Sequence, residues 1–173
     1  ILTCELATDG REIIGIDPSQ AMLAEAQKKV SAAQVQWVNG IASDLGRVDA
    51  DLAIMTGNVA QVFLEESDWA STLDALCAAL RPHGYLAFES RNPAARAWES
   101  WSRDDTYERL GTPFGPMECW LDVIHVGDGR VKFEAHNIFE STGERVIASS
   151  ELRFRSDSEI SASLEQAGFA VNT

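Results

Sequence analysis

The sequence contains no apolar run approaching the ~20 residues that cross a bilayer, and Ile1 to Gly10 has neither a basic start nor a small-residue cleavage site. Those absences argue against a membrane span or a secretory leader and lead to the expectation of a cytoplasmic protein. Basic residues are scarce, with 14 Lys and Arg against 27 Asp and Glu for a net charge of −13. Such a surface repels a phosphate backbone, and no basic patch overrides it, so nucleic acid is not expected as a partner. Cysteine is limited to Cys4, Cys77 and Cys119, with no CxxC pair, and His83, His125 and His136 match no HExxH pattern. Buried reduced thiols are expected, and no metal site. A length of 173 residues suits one domain around one core.

What is present alternates strand with helix and then changes character. Ile1 to Thr8 is helical in type, and Asp9-Gly10 reads as its stop. Glu12 to Ile16 is a short apolar strand, and Asp17-Pro18-Ser19 turns it into a helix over Gln20 to Ser31. Ser19 is placed as its cap, and Met22, Leu23, Ala26 and Val30 form its buried stripe. Gln34 to Val38 and Asp51 to Met55 read as strands. Ser67 to Leu80 is a helix by the spacing of Trp69, Leu73, Leu76, Ala79 and Leu80. Arg81-Pro82-His83-Gly84 reads as a break before a strand over Tyr85 to Ser90. The order β-α-β-β-α-β predicts an α/β fold: a Rossmann-like, mostly parallel sheet with helices on both faces.

From Met117 the period changes to two. Cys119 to Val126, Arg130 to Glu140 and Arg145 to Phe154 predict a three-stranded antiparallel meander, joined at Gly127-Asp128-Gly129 and Ser141-Thr142-Gly143-Glu144. Ser156 to Ala167 returns to helix, and Gly168 to Val171 begins another strand. Asn92 to Pro116 is the loosest stretch.

Ligands of open α/β sheets bind beyond the carboxyl ends of the strands, which singles out Asp17, Gly40 to Ser43, Thr56 to Asn58 and Arg91 to Pro93. An ionised Asp17 accepts hydrogen bonds only, and its two oxygens suit the two hydroxyls of a ribose. It could equally be a helix-start residue favoured by the macrodipole. Asn58 and Arg91 each follow a strand and are candidates for substrate contact; Arg91 could instead neutralise Glu89 or Glu99. Trp98, Trp101 and Tyr107 could stack on a ligand or pack the antiparallel segment onto the core.

The stretch Gly15-Ile16-Asp17-Pro18-Ser19-Gln20-Ala21-Met22-Leu23-Ala24-Glu25-Ala26 closely resembles the second motif of class I S-adenosylmethionine-dependent methyltransferases. Trp37 to Ala42, Ala50 to Asn58, Leu80 to Glu89 and Leu152 through Phe169 continue the likeness, which spans nearly the whole chain. The resemblance implies a small-molecule type of methyltransferase with S-adenosylmethionine as cofactor. It implies that Asp17 holds the ribose and that Met22 lies near the adenine. The cofactor set it points to is Asp17, Pro18, Met22, Gly40, Ile41, Ala42, Thr56, Gly57 and Asn58, with Asn58, Arg91 and Trp98 toward the substrate. Two departures stand out: His83 replaces a glycine, and Ile41 replaces an Asp that in many relatives bonds the adenine amino group.

By the same likeness, Ile1 to Ala7 is the helix that follows the family's glycine-rich first motif. Residues 1–173 would be one methyltransferase domain, incomplete at both ends, with an antiparallel insert at 117–154. Such inserts cover the active-site mouth or build dimer contacts, so the implied partners are a small-molecule methyl acceptor and a second copy of the chain, with neither nucleic acid nor membrane. The implied chemistry is in-line methyl transfer to a small-molecule N or O nucleophile, which needs no obvious catalytic triad. Two alternatives remain open. A nicotinamide-dependent oxidoreductase shares the acidic residue but lacks a visible GxGxxG, and neither Tyr85 nor Tyr107 has a lysine four residues on. The other is a catalytically inactive methyltransferase-like domain serving as an interaction module, which Ile41 favours.

Overall fold

The computed structural model describes residues 2–8 and 10–171, so Ile1, Asp9 and the last two positions lie outside the described residues. The chain divides into two compact units, Ile1–Ala53 with Ser71–Leu86 and Ile54–Ala70 with Ala87–Thr173.

In the first unit, α1 (Leu2–Leu6) is followed by β1 (Ile13–Asp17), α2 (Gln20–Ala26) and β2 (Val35–Asn39). Strands β1 and β2 pair in parallel from Ile13 opposite Val35 to Asp17 opposite Asn39, and both helices pack against β1. Cys4, Ala7, Leu23, Ala32 and Val35 are buried here. Gly15, in the middle of β1, is pressed by the Trp37 ring: a Cβ at this position would lie 2.5 Å from it. Helix α1 ends at Leu6, short of the expected Thr8, and Gly10, which takes φ +74°, lies beyond its end rather than capping it.

Helix α2 is shorter than its sequence suggests. It ends at Ala26, with Val30 89% exposed and Met22 61% exposed, so of the predicted stripe only Leu23 is fully buried. The segment Gln27 to Ser31 offers two lysines and a β-branched residue with nothing apolar to cover, and Ser31 turns left-handed at φ 65°. The capping expectation holds, since Ser19 Oγ accepts from the Met22 N–H at 3.3 Å.

Strand β3 (Ala50–Met55) pairs with β4 (Leu80–Phe88), and α3 (Glu66–Ala79) connects them. The predicted break at Arg81 to Gly84 is instead part of β4. His83 sits there at φ +66°, and a Cβ on Gly84 would lie 3.0 Å from the carbonyl oxygens of Ala50 and Arg81. Leu73, Leu76, Ala79 and Leu80 are buried, as their helical spacing predicts.

The second unit carries one antiparallel sheet in the order β5-β6-β7-β8: β5 (Glu108–Thr112), β6 (Gly115–Gly127), β7 (Arg130–Phe139) and β8 (Glu144–Arg153). Its three long strands are those of the period-two pattern. The fourth, β5, lies in the stretch that reads as loosest, so the insert holds four strands rather than three. Glu-Arg-Leu-Gly-Thr has a single large apolar residue and no alternation to reveal it. It is held by its pairing to β6 and by Arg109, whose Nη2 donates to Glu140 at 2.8 Å. Between β6 and β7, Asp128 (φ 51°) and Gly129 (φ 70°) form the tight turn that the sequence predicts. Short helix α4 (Arg103–Thr106) precedes the sheet and α5 (Asp157–Gln166) follows it. Ser156 caps α5 through the Glu159 N–H, and Glu159 returns a bond to the Ser156 N–H. That backbone bond holds the Glu159 carboxyl below its usual pKa. Residues 168–171 are not in a strand, contrary to expectation; their four positions have no partner strand among the described residues.

Trp69 anchors this unit. Only 1% exposed, it meets Phe63 and Phe88 with ring centroids 5.7 Å away in each case and donates its indole N–H to Ser163 Oγ at 2.8 Å. The Arg155 guanidinium lies 5.2 Å from its ring centroid. Trp69→Ala should therefore lower unfolding free energy by about 3–5 kcal/mol in urea titration. His83→Gly should raise it by about 1 kcal/mol, because the left-handed backbone costs a side-chain-bearing residue roughly that much.

Candidate functional site

Parallel pairing places the carboxyl ends of β1 and β2 at one edge, where a ligand of this sheet type is received. Asp17 and Asn39 stand opposite each other there. Asn39 Nδ2 donates to the carbonyls of Asp17 and Pro18, both at 3.1 Å, and the Gly40 N–H donates to Asp17 O at 3.2 Å. These bonds fix the turn after β1. The Ser19 N–H donates to Asp17 Oδ1 at 2.7 Å, and among the described residues no donor reaches Oδ2. Asp17 thus serves the start of α2 with one oxygen and keeps the other available, so both of its sequence-level roles are compatible.

Met22 and Ile41 present apolar side chains near this edge, 61% and 58% exposed. The backbone beneath Ile41 is already engaged. Its N–H donates to Asp44 Oδ2 at 2.8 Å, and its carbonyl accepts from the Asp44 N–H at 2.9 Å. Ile41 therefore offers a ligand an apolar surface rather than a backbone donor. A Cβ on Gly40 would collide with the Asp44 carboxylate, so a larger residue there would force Asp44 to shift from its bond to the Ile41 N–H. Ala42 begins the short 3-10 turn Ala42–Asp44 that brings Asp44 back. Asp44 and Asn39 carry this geometry and were not among the expected site residues. Their signals are an acidic residue three places after the strand-end loop, the spacing of a helix-start reach-back, and an amide at the strand's last position.

In the second unit, Thr56, Gly57 and Asn58 follow β3. Gly57 (φ +73°) and Asn58 (φ +59°) are consecutive left-handed residues, and Glu89 Oε1 accepts from both of their N–H groups, at 2.6 and 3.1 Å. A carboxylate that accepts two backbone amides holds a bend that the backbone alone would not keep. Arg91 pairs with neither Glu89 nor Glu99 among the described residues. Its Nη1 donates to Gln61 Oε1 at 2.8 Å, and its guanidinium lies 5.4 Å from the Trp101 ring centroid. Glu99 is bonded by Arg96. Gln61 is fully buried. Trp98 packs edge-on against Phe154 at 4.6 Å, and Trp101 against Phe133 at 5.0 Å. Thr56 and Gly57 are exposed and Asn58 half-buried.

Arg155, 3% exposed, completes this neighbourhood. It donates to the carbonyls of Ala60 at 3.3 Å and Phe63 at 2.9 Å and to Glu66 at 3.1 Å. Burial pulls its pKa down, while Glu66 opposes that change. His136 stacks on Trp120 at 4.8 Å between Asp122 and Glu134, each 3.4 Å away. Burial raises the Cys119 thiol above its usual pKa, which disfavours the reactive thiolate. Among the described residues no three His, Cys, Asp or Glu side chains gather to hold a metal ion, and no helix is long and apolar enough to cross a membrane.

Comparison with known proteins bears on the half of the chain that holds Asp17, Gly40 and Ile41. A family model described as a methyltransferase domain matches residues 1–84. No curated protein matches the chain. Solved structures extend the likeness in fold. An S-adenosylmethionine-dependent methyltransferase from Clostridium acetobutylicum is 16% identical over 91% of this chain and 63% of its own, with a TM-score of 0.69. A sugar N-methyltransferase from Streptoalloteichus sp. is 19% identical over 90% of this chain and 62% of its own, with a TM-score of 0.71. A SAM-bound amino pentose methyltransferase from Micromonospora echinaspora, involved in calicheamicin biosynthesis, is 17% identical over 91% and 65%, with a TM-score of 0.63. The chain therefore has the Rossmann-like methyltransferase fold and spans less than two thirds of the length of these three proteins.

If Glu89 holds the loop of this methyltransferase fold, Glu89→Ala should speed hydrogen exchange at the Gly57 and Asn58 amides by roughly tenfold, as expected for loss of a charge-assisted bond. Glu89→Gln, which keeps an acceptor oxygen, should have a smaller effect. Mass-spectrometric or NMR exchange at these two amides measures both.

Proposed function

We propose that the chain belongs to an S-adenosylmethionine-dependent methyltransferase that transfers a methyl group to a small-molecule N or O nucleophile by in-line displacement. The observation that carries this reading is the Oδ2 of Asp17, which no donor reaches among the described residues, at the carboxyl edge of a parallel β1–β2 pair, in a segment matched by a methyltransferase family model. When bound, S-adenosylmethionine supplies an activated methyl group on a sulfonium. In this reading Asp17 Oδ2 accepts from ribose hydroxyls, and the exposed Met22 and Ile41 side chains offer apolar surface to an adenine. Pro18, Gly40 and Ala42 shape the turns that carry these side chains. Thr56, Gly57 and Asn58 are further cofactor contacts in this reading, and Asn58, Arg91 and Trp98 face the acceptor.

With the donor already activated, the protein contributes alignment and exclusion of water, a positioning effect of ~7–11 kcal/mol in favourable cases. A general base is needed only where the acceptor must lose a proton. An amine on a small polar molecule is the acceptor class favoured here: the net charge of −13 suits a cationic partner, and two proteins of similar fold are named for an amino pentose and for sugar N-methylation. The reaction is assigned to the cytoplasm, within one methyltransferase domain over residues 1–173 that includes the insert at 117–154.

One observation favours a second reading. The Ile41 N–H is consumed by Asp44, and no carboxylate stands at position 41 for an adenine amino group, as suits a domain that has lost cofactor binding and serves as an interaction module. Calorimetric titration with S-adenosylmethionine separates the two. Micromolar binding, weakened at least about tenfold by Asp17→Ala, is expected for the enzyme, since a hydrogen bond to a charged group contributes ~1.5–3 kcal/mol. Absence of binding by the folded wild type would overturn the enzyme reading and leave the module.

A further inference from the structure

Alternate residues of a strand share a face, and the register of the antiparallel sheet gathers one such face around His136. Trp120 of β6 stands opposite His136 of β7 and Asp122 opposite Glu134, while on β8 Ile147 stands opposite His136 and Arg145 opposite Ile138. Most charges on this face have partners. Asp122 accepts from the Trp120 indole N–H at 2.7 Å, and Asp122 and Glu134 each lie 3.4 Å from His136 Nε2. Glu140 is bonded by Arg109, and Glu151 stands opposite Lys132. Arg145 differs: no carboxylate among the described residues lies within ion-pair distance of it.

Arg145 borders a hollow of about 230 Å³ whose other walls are Trp120, His136, Asn137, Ile138 and Ile147. An apolar cavity of about 150 Å³ accepts benzene, so the hollow has room for one six-membered ring with a small substituent. His136 stacks on Trp120 with ring centroids 4.8 Å apart and planes within 1°, and the Arg103 guanidinium lies 4.6 Å from the Trp120 ring centroid. The face that His136 turns away from Trp120 looks toward β8, where Ile147 and Arg145 stand. An aromatic ring laid there continues the stack above the apolar Ile147 side chain. A carboxylate on that ring meets the Arg145 guanidinium, whose planar fork suits two oxygens. A cationic ring is disfavoured, since Arg145 repels it and no carboxylate lines the hollow.

We infer that this hollow binds a single-ring aromatic carboxylate, stacked on His136 over Ile147 and paired with Arg145. None of its lining residues is among those assigned to S-adenosylmethionine or to the methyl acceptor, so the inference goes beyond methyl transfer and stands independently of it.

Titration of the protein with benzoate, followed by two-dimensional amide and indole NMR at constant ionic strength, tests it, with circular dichroism confirming that each variant is folded. Benzoate is expected to shift the Trp120 indole N–H and the His136 and Ile147 amides saturably, in the millimolar range or below. Arg145→Ala should weaken binding by at least about tenfold, and Arg145→Lys by less, because an ammonium keeps the charge without the fork. Benzamide, the same ring without the charge, should bind the wild type at least about tenfold more weakly than benzoate. Acetate, which has the charge but no ring, should not produce these shifts where benzoate saturates. Arg91→Ala should leave benzoate affinity unchanged, which separates the hollow from the residues assigned to the acceptor. Absence of saturable shifts with benzoate would overturn the inference. So would undiminished binding by Arg145→Ala, equal affinity for benzamide, the same shifts with acetate, or loss of binding on Arg91→Ala.

Discussion

The second unit depends on how one irregular stretch, Gly57 to Glu66, has its backbone satisfied. Much of it lies outside helix and strand, so its amides and carbonyls need partners from elsewhere. Glu89 takes the N–H groups of Gly57 and Asn58; Arg155 donates to the carbonyls of Ala60 and Phe63; Arg130 donates to the Leu64 carbonyl at 3.2 Å and to Glu65 at 3.0 Å. Arg91 holds Gln61 by its side chain, and Arg153 pairs with Glu66 at 3.0 Å. The stretch is thus tied to the end of β4, to β7 and to the residues that close β8. Buried Arg155 matters most: removing it would strand the Ala60 and Phe63 carbonyls, and a buried acceptor left without its donor costs more than the bond's net contribution.

That arrangement explains what sequence could and could not reveal. Asp17-Pro18-Ser19 announces itself, since a strand-ending carboxylate and a helix cap are local features, and the structure places both functions on these residues. The alternating strands β6, β7 and β8 are legible for the same reason: a half-buried sheet writes its period into the chain. Strand β5 is illegible because pairing to β6 and an ion pair 31 residues away hold it, and neither leaves a local pattern. Helix α2 ends early because propensity continues to Ser31 while the surface it could cover does not. The run Arg81 to Gly84 reads as a break from its proline and glycine, yet β3 beside it keeps it extended and forces the left-handed turn onto His83.

Asp44 illustrates a subtler limit. An aspartate is expected one position after Gly40, where Ile41 stands, and position 41 alone reads as a loss. Three residues later Asp44 folds back to occupy the Ile41 amide, and Gly40 remains glycine to admit it. The carboxylate near this loop therefore stabilises the loop itself. What the loop gains in rigidity it withdraws from ligand hydrogen bonding, leaving Ile41 an apolar contact. A carboxylate at the same edge is still available, but it belongs to Asp17.

The net charge acquires meaning from the same contacts. Of the 14 basic residues, Arg91, Arg130, Arg153 and Arg155 are drawn into the second unit's own network, with side-chain exposure of 30%, 22% and 3% for the last three. Their positive charge is spent on carbonyls and on Glu65 and Glu66, so the accessible surface is more strongly acidic than the composition alone states.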